Sequence, residues 1–140
     1  MKWTILSVLF LTTVSSNGQA TNPPLINLNT FKSIPEDMMG VGESFYLSAK
    51  DKKEQKFICT TDMETALIYI NQKPVRLKSI DVTDFSKNKQ IFTHDKYTLI
   101  IIEGPSKKVS DEYYTMSGEL ILKYDSKTVW SKNVKGDGGD

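Results

Sequence analysis

The chain has 140 residues, 39% of them hydrophobic and 25% charged, with 18 basic residues against 17 acidic ones. Length and composition fit a single globular domain. The even charge balance and the interspersed Lys and Asp/Glu argue against a nucleic-acid binder, which carries its basic excess on one face. A lone cysteine, Cys59, excludes a disulfide-stapled scaffold.

Met1 to Ala20 has the three parts of a secretory signal peptide: Lys2 as the basic n-region, Ile5–Val14 as the apolar h-region, and a small, polar stretch with Gly18 and Ala20 at the −3 and −1 positions. The ten-residue h-region is too short to span a bilayer core, which takes about 20 apolar residues. Cleavage after Ala20 removes Lys2, the only charged residue of the segment, and leaves seventeen basic against seventeen acidic residues. No cysteine follows the cleavage site for a lipoprotein anchor, and no Asn-x-Ser/Thr sequon occurs. The expected location is a bacterial periplasm or the medium, with no membrane anchor after cleavage.

Residues 21–42 read as an extended leader with a short helical turn. Pro23 and Pro24 exclude a central strand, and Leu25, Ile26, Leu28 and Phe31 should pack down. Ser33, Pro35 and Glu36 form a capping-box pattern that Gly40 would end, with Met38-Met39 facing the domain. A single β-domain is expected over 43–134. Phe45/Leu47, Phe57/Cys59 and Val75/Leu77 alternate with polar or outward positions, and Asp51–Glu54 reads as a polar turn. Asp62–Asn71 fits both a helical template and a strand; strand is favoured over 66–71, with Asn71–Pro74 as a hairpin turn. Tyr97–Ile102 is continuous and β-branched, which predicts a central strand buried on both faces. Leu120, Leu122 and Tyr124 alternate before an Asp125–Lys127 turn into Thr128-Val129-Trp130. The predicted class is all-β and mainly antiparallel, a small sandwich or barrel of about seven or eight strands. Gly104–Asp111 reads as a long polar loop, and 135–140 (KGDGGD), which lacks apolar residues, as a flexible tail.

The chemistry is sparse. His94, the only histidine, lies in a turn and reads as solvated; one His and one Cys cannot supply a zinc site. Cys59 reads as a small buried hydrophobe, the alternative being a nucleophile paired with His94. Gly40-Val41-Gly42 precedes a strand and so fails as a phosphate loop, and Asp137–Asp140 lacks calcium-loop spacing. No cofactor or metal is expected. The reading that follows is a non-enzymatic binding module whose partner is a protein or carbohydrate of the cell envelope. Its surface would be Lys107, Lys108, Asp111, Glu112, Tyr113 and Tyr114, with Trp130 as the next candidate. The alternative is an envelope hydrolase using the Asp111-Glu112 carboxylates.

Overall fold

The computed structural model describes residues 25–39, 42–62, 64–80 and 88–139; the signal segment, Pro23-Pro24 and Gly40-Val41 lie outside them. Among the described residues nine strands follow in chain order: β1 (Leu28–Asn29), β2 (Gly42–Tyr46), β3 (Cys59–Thr61), β4 (Thr65–Ile70), β5 (Lys73–Ser79), β6 (Lys89–His94), β7 (Tyr97–Lys108), β8 (Tyr113–Tyr124) and β9 (Lys127–Gly139). From β2 onward each strand pairs antiparallel with the next, and β9 returns to pair with β2. The result is a closed, eight-stranded up-and-down barrel. β1 is the extra strand, laid beside β4 where β3 has ended. The all-β, antiparallel expectation holds, as a barrel and not a sandwich, and closure removes most of the unpaired edges an open sheet would leave.

Local chemistry explains the hairpins. Asn71-Gln72 and Asp125-Ser126 both hold positive φ at two successive residues, as a two-residue type I′ turn requires. Of the ambiguous segment, Thr65–Ile70 is strand, because alternate residues Ala66, Ile68 and Ile70 enter the core; Asn71 lies in the turn. With them point Phe45, Cys59, Leu77, Phe92, Leu99, Ile101, Leu120 and Leu122, all essentially fully buried. This is the packed interior expected of an eight-stranded barrel, whose bore is just wide enough for side chains or one small ligand.

A second apolar cluster lies on the outer face. The segment before β2 runs across β3–β5, burying Phe31 and Met38 against Tyr46, Phe57 and Leu67. Phe31 stacks on Tyr69 with ring centroids 4.7 Å apart, and Arg76 of β5 forms a bidentate pair with Asp37. That guanidinium holds the Asp37 carboxyl below the usual carboxylate range.

Several local expectations change. Glu36–Met38 is a single 3₁₀ turn behind Pro35 with no side-chain cap, so the Ser33 capping box does not form; Met38 is buried but Met39 is exposed. Asp51–Glu54 belongs largely to a short helix, α1 (Ala49–Lys53), capped by the Ser48 hydroxyl accepting from the Asp51 N–H. In Tyr97–Ile102 only Leu99, Ile100 and Ile101 are buried, since a closed barrel leaves its outer face to solvent unless something covers it. The predicted loop at 104–111 is mostly strand: β7 continues through a bulge between Glu103 and Ser106 to Lys108, leaving only 109–112 as the connection. The largest revision is at 135–140. Lys135–Gly139 does not fray but forms the end of β9, hydrogen-bonded on both sides, to β8 and to β2.

Glycine makes that closure possible. Gly136 lies between Met116 and Phe45 in one cross-strand row, and a Cβ placed on it would fall 2.9 Å from the Phe45 ring and 3.1 Å from Met116 Cγ. Gly136→Ala is therefore expected to destabilise the protein by about 1–3 kcal/mol, the usual cost of overpacking a filled core. Urea denaturation checks this, and a loss below about 0.5 kcal/mol would contradict the packing described.

Candidate functional site

The two ends of the barrel differ in chemistry. One end collects the β4–β5, β6–β7 and β8–β9 turns. At the other, β2, β4, β6 and β8 begin and β3, β5, β7 and β9 end. At this second end the inward positions become polar. Glu43 is in phase with Phe45, Gln90 with Phe92, Glu103 with Ile101, and Tyr114 with Met116. Strand alternation alone therefore turns these four half-buried side chains toward the bore.

They form one hydrogen-bonded cluster. The Gln90 side-chain amide donates to Glu43 Oε1 and to Glu103 Oε1, each at 2.7 Å. The Tyr114 hydroxyl donates to Glu43 Oε2 at 3.1 Å. Tyr114 and Glu43 are two strands apart, and Gly138 lies between them in the same row. A Cβ at Gly138 would fall 2.5 Å from the Tyr114 hydroxyl oxygen, so only glycine lets the ring cross β9 and reach Glu43. Thr61, buried, flanks Glu43 from β3.

The electrostatics follow from this geometry. Burial pushes the Glu103 carboxyl up to about 8, its hydrogen bond and charge contact with Glu43 push the same way, and Gln90 opposes them. None of the ion pairs among the described residues includes either glutamate. The Glu103 carboxyl is thus held protonated near neutral pH, with the Glu43 side chain beside it. Such a pair can accept an ammonium or amide donor in place of the proton, or exchange the proton with a bound molecule. Two carboxylates are not a metal centre, and among the described residues no three His, Cys, Asp or Glu side chains gather to hold an ion.

The residues expected from sequence are dispersed. Lys107, Lys108, Asp111 and Glu112 are all exposed at the β7–β8 tip, where Lys108 pairs with Asp111 at 3.2 Å. Asp111 and Glu112 do not converge into a catalytic pair: Asp111 engages Lys108, and their side chains stay in solvent. Tyr113 and Tyr114 point to opposite faces, as neighbours on a strand must. Tyr114 joins the mouth, whereas the Tyr113 hydroxyl donates to outward-facing Asp137 at 3.0 Å, which also meets Lys52 of α1 at 3.4 Å. Burial and the Asp137 charge push nearby Tyr46 up to about 12. Trp130 lies far along β9, toward the other end, with Lys132 Nζ 5.8 Å from its ring centroid. His94 is exposed at the end of β6, paired with Tyr97 just before the Asp95-Lys96 turn and not in it. Cys59 is fully buried, and burial, then the Glu43 charge, pushes its thiol up, so it has no thiolate character.

Sequence reasoning missed Glu43, Gln90 and Glu103. The available signal was parity: each lies two residues from a large apolar residue on the same strand. No family model, curated protein or solved structure matches the chain.

Glu103 has a defined linkage to pH. Its folded pKa lies above the ordinary glutamate value, so the folded state binds more protons than the unfolded state between about pH 4.5 and 8. This contribution is fully present below that window and is lost as pH rises through it. Thermal stability should therefore decline from pH 5 to 8, and Glu103→Gln, which mimics the protonated carboxyl, should flatten the decline. A decline of unchanged slope in Glu103→Gln would show that Glu103 does not carry this proton.

Proposed function

We propose that the chain is an exported, non-enzymatic binding protein of the cell envelope or medium, released by cleavage after Ala20. Its site is the polar mouth formed by Glu43, Gln90, Glu103 and Tyr114. The favoured ligand carries a cationic nitrogen on an apolar stem, the head taking the place of the Glu103 proton and the stem staying outside the filled core. One observation carries this reading: four hydrogen-bonding side chains face the bore at a single end of the barrel, above its apolar core. Burying polar groups costs free energy that apolar residues would not, and pockets with few convergent polar groups in the mouths of barrels are ordinary ligand sites. The signal pattern of residues 1–20 supports the location.

A second reading, a carboxylate-pair hydrolase, has support from one specific feature. A carboxyl raised to about 8 beside a second carboxyl is suited to hold a proton at neutral pH and deliver it. The pair would be Glu43 and Glu103, not Asp111 and Glu112.

Butylammonium and butanol distinguish these ideas. The exported protein should begin at Thr21 by N-terminal sequencing. Butylammonium should raise its thermal midpoint, butanol should not, and the Glu43→Gln/Glu103→Gln double variant should bind the cation at least about tenfold more weakly, ~1.4 kcal/mol. Equal binding of the two probes, or an unchanged double variant, would contradict the cation site. Turnover of envelope glycan or peptide that the double variant loses would establish the hydrolase instead.

A further inference from the structure

The barrel wall is incomplete beside β9. β9 pairs with β8 along its whole length, but β2 covers its other side only from Lys135 to Gly139. β2 ends at Tyr46, and the chain turns away into α1, whose Lys52 meets outward-facing Asp137. Among the described residues, Lys127–Val134 therefore has no strand partner on the side away from β8. Side-chain exposure shows the same gap. Lys132 is in phase with buried Val134 and faces the barrel side, yet it is exposed, and Trp130 beside it is only half-buried. A residue on the inner face of a closed wall would not be.

We propose that this free side of β9 is an interaction edge that takes an acidic, extended segment of a partner protein by strand addition. An unpaired edge offers a ready row of backbone donors and acceptors. The only irregularity in the β8–β9 ladder lies between Leu122 and Lys123, opposite Val129, so Trp130–Val134 is regular. Two other overhangs each carry a proline, which lacks a donor: β7 beyond Glu103, with a bulge and Pro105, and β5 before Lys78, with Pro74. Charge selects the occupant. From Lys127 to Gly136 the strand carries Lys127, Lys132 and Lys135 and no acid, and neighbouring Glu119 already accepts from the Ser131 hydroxyl at 3.0 Å. These lysines repel the same edge of a second copy and favour a partner rich in Glu or Asp. Its inward residues would cover the exposed part of Trp130. This inference is independent of the mouth site.

The test uses the full chain and two synthetic strand peptides, one alternating Glu and Val and one alternating Lys and Val. In hydrogen exchange of the protein alone, alternate amides over 130–134 should exchange fast. The acidic peptide should slow them and bind at least tenfold more tightly than the basic one. Methylating its backbone nitrogens on alternate residues should abolish binding. Lys132→Glu/Lys135→Glu, two exposed substitutions, should reverse the charge preference while circular dichroism stays unchanged. Protection of both sets of amides in the protein alone, equal binding of the two peptides, or protection that grows with protein concentration through self-pairing would each overturn the proposal.

Discussion

The pairing of Lys135–Gly139 with β2 closes the barrel, and the rest of the structure depends on it. Five residues of β9 meet five of β2, so the seam is short compared with the twelve-residue β7–β8 arms that lead to it. Its short length makes its packing decisive. Phe45 and Met116 meet over Gly136, and the row that holds Glu43 and Tyr114 passes over Gly138. A side chain at either inward position would drive core groups off the β9 backbone. Glycine weakens a strand on its own through its conformational freedom. Here burial of Phe45 and ladder bonds on both sides offset that cost.

The same seam sorts the chemistry by face. Inward, it brings Glu43 from β2 within reach of Tyr114 from β8 and close to Glu103 from β7, residues far apart in sequence. Outward, the residue between the two glycines, Asp137, gathers the Tyr113 hydroxyl and Lys52. Past Tyr46 the chain leaves β9 for α1, and the wall stays open beside Trp130. The mouth thus sits at the start of β2, and the uncovered stretch of β9 lies past its end at Tyr46.

The sequence shows the strands more clearly than their closure. Val75/Leu77, the apolar run at Tyr97–Ile102 and the Leu120–Tyr124 alternation all lie in strands, since each carries large residues whose period matches the pleat. Lys135–Gly139 lacks that signal because its inward residues are glycines; the cue was their spacing around Asp137, which is strand parity without side chains. Gly104–Lys108 looks like a loop because Gly, Pro and Lys are poor strand formers, and only pairing with β8 holds it extended. The same loop-like composition points to a binding surface at the β7–β8 tip. Of its residues, Tyr114 reaches the mouth, where parity and Gly138 direct it. Glu43 and Glu103 resemble solvated glutamates in a one-dimensional reading, because their inward placement exists only once the barrel closes.

Amide hydrogen exchange of Lys135–Gly139 under native conditions tests this account most directly. If these residues close the barrel, their ladder amides exchange slowly, with opening free energies close to those of the buried β7 and β8 core amides around Leu99 and Leu120. Exchange near the rate of an unstructured chain would mean that the end of β9 is a frayed tail, and the closed barrel and its mouth would not stand.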